Sequence, residues 1–349
     1  MRKTNIELLR LLSMFLIVLS HYCVHTIWPS DLSRPLRCLV NMGSLGEVGV
    51  CIFLLITGYF SYKTSIKFRN LLRTILQISF YSLLGFILAV MLKLDADYEY
   101  FSLTPVISGT YWFATVYVAL YLTIPLLNQI VAALPRKGHR NMLFVGYFVL
   151  CVIPFIFRAT FIFSNFVFCC YVYLIGSYLG KYSIVISSQK ISACLCAAWT
   201  LLPGTLALTT LFPVTGIYQL TSQYFYSLNS ILVLPAALSL FMAFTQLRIP
   251  QNYLINKLAT GTFGVYLLSD NFLLSPSIWK EVQTFAPFSV LPASLFVICS
   301  LLAVASVYAV SLCVDLLRKA VIEKPVFSLL DPLVNRISIR INRLLNYSD

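Results

Sequence analysis

A chain of 349 residues that is 59% hydrophobic and only 11% charged lacks the charged surface of a water-soluble globule, where roughly a quarter of residues are charged. This composition is that of a polytopic, all-α integral membrane protein. The net charge of +13 comes from basic residues placed between apolar runs, which marks membrane topology and argues against a nucleic-acid partner.

An apolar run from Glu7 to His25 opens the chain, preceded by Arg2 and Lys3. Glu7 and Arg10 interrupt it and no small-x-small cleavage site follows, so it reads as an uncleaved first helix rather than a signal peptide. A hydrocarbon core of ~30 Å takes about 20 apolar residues per helix. On that rule ten spans are expected, at residues 5–24, 39–61, 70–92, 110–133, 142–157, 165–181, 191–212, 225–246, 258–276 and 288–313. The fifth and sixth are short and are parted between Arg158 and Asn165. No internal repeat is evident. The expected organisation is one membrane domain, 1–313, and a basic tail, 314–349. In the tail, Arg336 to Tyr347 sets isoleucines and leucines among arginines, a pattern for lying on an anionic leaflet, with a regulatory partner as the alternative.

Charge distribution orients these spans. With the N-terminus in the cytoplasm, nineteen basic residues fall on the cytoplasmic side and five (Arg34, Arg37, Lys93, Arg158 and Lys280) outside, together with Asp31, Asp95, Asp97, Glu99 and Glu281. The bias predicts an N-in, C-in topology. The ten cysteines lie mostly inside apolar runs without C-x-x-C or His/Cys ligand spacing, so no metal site is expected and the thiols read as small hydrophobes. Cys23 and Cys38 flank an outer loop, where a disulfide is the alternative.

Arg10 and His21 are eleven residues apart. At ~100° per residue that is about 20° past three full turns, and the rise separates them by ~16 Å along one face. Glu7 shares the face. A polar stripe on a membrane helix faces a bundle interior or cavity by default, the alternative being that Arg10 and His21 snorkel to opposite interfaces. Arg69 and Arg73, four apart at the start of the third run, are either positive-inside charge or a bidentate clamp for phosphates. Glu47 is expected at the depth of His21, where a carboxylate would orient the imidazole; simple hydration at the helix mouth is the alternative. Gly46, Gly49 and Gly58 permit close helix approach. Asp270 and Asn271 fall within an apolar run, where an unpaired aspartate is costly, so Asp270 is expected to line the same cavity, or else to be protonated.

These residues fall in an order that resembles the acyltransferase 3 family of bacterial membrane acyltransferases. Arg10 and His21 match its R-x10-H motif, and "GVCIFLLITGYF" is similar to its G-V-x-x-F-F-x-x-S-G-Y segment, with Thr57 for serine. "YWFATVYVALYLTIPLL" resembles its Trp-containing helix, "TFGVYLLSDN" its F-G-x-Y-L-x-H stretch, and "VDLLRKAVIEKP" its terminal pattern. Two departures stand out. The family's R-x-x-R is spaced here as Arg69-x-x-x-Arg73, and Ser269 replaces its histidine.

The resemblance implies an enzyme of a bacterial inner membrane. It would move an acyl group, acetyl in the first instance, from cytoplasmic acyl-CoA to a hydroxyl of a surface or lipid-linked saccharide. Acetyl-CoA is then a donor substrate and no cofactor is held permanently. Arg10, Arg69 and Arg73 would hold donor phosphates. His21 would serve as general base or as nucleophile, beside Glu47. Trp112 would stack on the sugar, or act as an interfacial belt residue, and Asp270 would bind the acceptor. A glycan or small-acid transporter without chemistry, or a non-catalytic relative, remains the alternative.

Overall fold

Within hydrocarbon every backbone N–H and C=O must find its partner inside the chain, which restricts spanning segments to helices and closed barrels. In the computed structural model every regular element among the described residues is helical. The structure describes residues 3–30, 32–64, 67–94, 103–157, 164–184, 186–211, 225–285 and 291–345. Arg2, Asp31, Asp95, Asp97, Glu99, Arg158 and Tyr347 lie outside them.

Helix α1 is Thr4–His25. The expected span at 39–61 is two helices, α2 (Arg34–Gly43) and α3 (Gly46–Ser61), broken at Ser44 and Leu45. Then follow α4 (Phe68–Met91), α5 (Trp112–Ala133) and α6 (Arg136–Phe157, with a π turn at Phe148–Val152). Beyond these lie α7 (Asn165–Tyr182), α8 (Ser188–Leu211) and α9 (Val233–Gln246). The short helices α10 (Tyr253–Leu258) and α11 (Thr262–Ser269) are joined by a 3-10 turn, and α12 is Ser275–Phe285. The last pair, α13 (Ala293–Arg318) and α14 (Lys324–Leu345), is joined through a π turn at Lys319–Glu323.

Seven helices among the described residues are long and apolar enough to cross a membrane, where the sequence predicts ten spans. The difference has local causes. The segment expected at 165–181 is helical, but Asn165, Ser177, Lys181 and its tyrosines dilute its hydropathy. The segment at 225–246 is helical as a spanning candidate only from Val233, for 14 residues. The one at 258–276 stops at Ser269 and resumes as α12.

The centre of the bundle is a three-helix sandwich, with α3 between α1 and α7. Glycine makes the approach possible. A Cβ on Gly49 would strike the Ser13 carbonyl of α1, and one on Gly46 would strike Ser20. On the opposite side, a Cβ on Gly58 would run into the Tyr173 carbonyl of α7, and one on Gly176 into the Leu55 carbonyl. Backbones in such contact gain dispersion that lipid tails cannot match. Where α5 ends, the Lys181 ammonium donates to the Val131 and Leu134 carbonyls, satisfying acceptors that a helix end leaves open.

The boundary expected at 313/314 falls inside α13, which continues to Arg318. Arg318 belongs to the basic residues expected at the cytoplasmic surface, yet its side chain is buried in an ion network. Asp315 Oδ1 accepts from Gln77 Nε2 at 2.9 Å, Tyr81 Oη at 3.0 Å and Arg318 Nε at 2.9 Å. Lys319 meets Asp315 Oδ2 at 2.9 Å. Glu323 bridges Arg318 and Arg73, each at 2.9 Å. Phe327 of α14 lies against the guanidinium groups of Arg69 and Arg73 at 5.6 and 5.2 Å. The start of the tail is thus packed on α4. All ten cysteines are free thiols, Cys23 and Cys38 included.

The α3–α7 contact gives the first prediction. Gly176→Ala places a methyl against backbone that cannot swing away and should cost about 1–3 kcal/mol, read as earlier unfolding in a detergent thermal melt. Gly204→Ala on α8 has no atom within 4 Å of the new Cβ, and its melt should match the parent.

Candidate active site

The polar stripe of α1 is the spine of the site. Glu7 Oε2 lies 3.3 Å from Arg10 Nε, and the Arg10 guanidinium sits 5.8 Å from the Phe53 ring. Four and eleven residues are near-integral numbers of turns, so Arg10, His21 and His25 project the same way. They open onto two cavities. One, of about 340 Å³, is lined by Glu7, Arg10, Thr57, Thr74, Gln77, Tyr117 and Phe263 among others, and Arg10 is the one cationic side chain of that lining. The other, of about 260 Å³, is lined by Ser20, His21, His25, Glu47, Trp112 and Asp270, with Met14, Ile17 and Val50 on the side toward Arg10.

Phe113 lines both cavities. Its ring is 5% exposed and meets Tyr266 edge-on, with centroids 5.8 Å apart and planes at 88°. Tyr117 and Phe263 continue this aromatic wall. The stripe therefore passes through two chambers with a partition between them.

The second half of the site comes from the break between α11 and α12. Residues 271–274 are not helical, and a helix end in hydrocarbon leaves donors unsatisfied. Asn271 meets the need. Its Oδ1 accepts from the backbone N–H groups of Leu273 and Leu274 at 3.1 and 3.2 Å. Its Nδ2 donates to the Tyr81 carbonyl at 3.0 Å and to Tyr111 Oη at 2.7 Å. Gly85 leaves the room, since a Cβ there would overlap the Asn271 amide. The break presents Asp270 to the stripe. Asp270 Oδ1 lies 3.1 Å from His25 Nε2 and 3.8 Å from His21 Nε2. Ser269 Oγ lies 3.2 Å from His21 Nδ1.

Of the residues singled out by the sequence, His21, Glu47, Trp112 and Asp270 line one chamber and Arg10 the other. Glu47, in the first turn of α3, has a buried oxygen without a hydrogen-bond partner; the carboxylate that meets the imidazoles is Asp270. Arg69 and Arg73 do not line the Arg10 chamber. They share a face of α4 with Gln77, which does, and they hold Phe327 and Glu323 instead. His25, Ser269, Phe113 and Tyr266 were not read from the sequence as members of the site. The i, i+4 spacing of His21 and His25 is a legible signal for one of them. The others depend on where α5 and α11 pack. Among the described residues no three His, Cys, Asp or Glu side chains converge as metal ligands.

A family model described as an acyltransferase domain matches residues 3–312. Searches of curated proteins and of solved structures gave no match. The matched segment contains both chambers, the partition and the α11–α12 break, and it ends just before Asp315.

Asn271 is the testable support of this geometry. Asn271→Ala removes the side-chain partner of the Leu273 N–H and of the Tyr111 hydroxyl, while the Leu274 N–H keeps the backbone carbonyl of residue 271 at 3.1 Å. Each such group costs about 1–3 kcal/mol, so the variant should melt markedly earlier in detergent. Asp270→Asn, which keeps the break, should melt close to the parent.

Proposed function

The chain belongs to the acyltransferase 3 family and is a membrane acyltransferase, and on that premise we propose an O-acyltransferase that uses acyl-CoA and a saccharide hydroxyl. The observation that carries this reading is the pair of chambers along α1, Arg10 in one and His21 in the other. A CoA molecule has its phosphates and its thioester far apart, on the order of the ~16 Å helix rise between these residues. Arg10 is the phosphate-side group within the chamber, with Arg69 and Arg73 at the same end of the bundle. The pantetheine arm passes Phe113, and the thioester carbonyl comes to lie beside His21.

In the reaction the acceptor hydroxyl oxygen bonds to the thioester carbonyl carbon as His21 removes its proton. The C–S bond then breaks and the proton passes from His21 to the departing sulfur. Asp270 supports the imidazolium formed in between, since opposite charge this close stabilises the protonated ring. Trp112 offers a stacking face for the sugar, and Glu47 an acceptor for one of its other hydroxyls. The excess of basic residues on one side supports a cytoplasmic Arg10 chamber, and in a bacterial inner membrane that is the side where acyl-CoA is made. The saccharide reaches His21 from the opposite side.

A transporter without chemistry would also use a broken helix at a polar cavity, so the experiment must separate the two. Purified protein in vesicles receives acetyl-CoA labelled in the acetyl group and a glycan extract from the source cell. Label appearing in the glycan supports the transferase; movement of unmodified glycan without label transfer rejects it. His21→Ala should keep acetyl-CoA binding and lose roughly 10²–10⁴-fold in transfer. Arg69→Ala with Arg73→Ala should raise the KM for acyl-CoA and leave the acceptor KM unchanged; a change confined to folding yield would make them structural.

Orientation has its own test. In a cysteine-free background, Lys137→Cys should react with an impermeant maleimide only from the cytoplasmic side and Lys93→Cys only from outside. The reverse pattern removes the cytoplasmic donor from the scheme.

A further inference from the structure

A neutral imidazole carries one proton, on Nδ1 or on Nε2, and a general base works only through the bare nitrogen. Which nitrogen of His21 is bare is set by the groups around it. Ser269 Oγ is 3.2 Å from His21 Nδ1 and 3.4 Å from the Tyr266 carbonyl oxygen. A hydroxyl has one proton and spare lone pairs. With that proton given to the Tyr266 carbonyl, which can only accept, the serine oxygen is an acceptor toward His21 and calls for a proton on Nδ1.

The other nitrogen faces a carboxylate, which would by itself draw the proton to Nε2. Asp270 Oδ1 is 3.8 Å from His21 Nε2, outside hydrogen-bond range. It is held instead by His25 Nε2 at 3.1 Å. A carboxylate only accepts, so His25 carries its proton on Nε2 and occupies the oxygen that competes for His21.

We propose that Ser269 and His25 are positioning residues that together hold His21 protonated on Nδ1, with Nε2 bare and facing the chamber. Ser269 selects this tautomer by accepting from Nδ1. His25 protects it by engaging Asp270. The arrangement leaves Asp270 near enough to stabilise the imidazolium once Nε2 has taken a proton, and too far to hydrogen-bond the neutral ring. The proposal rests on His21 acting as the general base.

The chain has three histidines, so imidazole nitrogen NMR of the full-length protein labelled on histidine can report the tautomer directly. The His21 signals are those that vanish in His21→Gln. At a pH where His21 is neutral, they should show a protonated Nδ1 and a bare Nε2. Ser269→Ala should shift the tautomer ratio about fivefold toward Nε2–H, the worth of one ordinary hydrogen bond of ~1 kcal/mol. His25→Ala should shift it the same way by freeing Asp270, and Ser269→Thr, which keeps the hydroxyl, should restore the parental spectrum. In the labelled-acetyl assay kcat should fall with the tautomer ratio in Ser269→Ala while the KM for acetyl-CoA stays constant. An Nε2–H form in the parent, or an unchanged ratio in both alanine variants, overturns the proposal. Transfer at the parental rate by His21→Ala overturns the general-base reading instead, whichever tautomer the spectrum shows.

Discussion

Asn271 carries the interaction on which the site depends. A helix that stops within hydrocarbon exposes backbone donors and acceptors, each costing on the order of several kcal/mol when left alone. Asn271 answers two of these groups with its side-chain oxygen, the N–H groups of Leu273 and Leu274, and anchors its nitrogen on the Tyr81 carbonyl and the Tyr111 hydroxyl. Because the break is satisfied, α11 can end at mid-bundle and turn. Because it turns there, Ser269 and Asp270 face the stripe of α1 rather than continuing up a helix. The absence of a side chain at Gly85 belongs to the same device, since a methyl would displace the amide.

Tyr81 ties this break to the far end of the bundle. Its carbonyl receives Asn271 Nδ2, and its hydroxyl donates to Asp315. One residue of α4 therefore touches both polar systems, the Asn271 break and the ion network of α13 and the π turn that follows it. Buried ion pairs are weak evidence of net stability because desolvation offsets attraction. Their value here is better described as register. Asp315 accepts from α4 and from its own helix, Glu323 spans Arg318 and Arg73, and Gly264 of α11 leaves space for the Asp315 carboxylate. Sliding α13 by one residue would strand several charges at once.

The legible part of the site was the part that lies on one helix. Periodicity alone puts Glu7, Arg10 and His21 on one face, because helix geometry is the same in every context. Membrane burial likewise made Asp270 conspicuous, as a carboxylate in an apolar run demands a partner. Tertiary partners were not legible. Nothing in "VDLLRKAVIEKP" says that Asp315 reaches Gln77 and Tyr81, and a basic tail reads as surface charge until its aromatic is seen between two arginines. The span count differed for a related reason. Hydropathy registers length and apolarity, while the break after Ser269 depends on the local hydrogen bonds of Asn271 and on its contacts with Tyr81 and Tyr111.

The proposed reaction, with its donor on one side and its acceptor on the other, requires that the group pass without opening a water path. A single polar tunnel along α1 would join the Arg10 and His21 chambers and let solvent reach both. The aromatic wall prevents this. Phe113, held edge-on by Tyr266 and flanked by Tyr117, closes the space between the chambers while leaving each polar at its own end. A flat ring can yield to a slender chain and then reseat, since its contacts are dispersive and individually small. In the proposed reaction the same partition would keep water of the Arg10 chamber from competing with the acceptor, because a general base beside an open aqueous channel would serve hydrolysis equally well. The polar stripe and the apolar wall across it are thus two halves of one requirement, chemistry at depth without a leak.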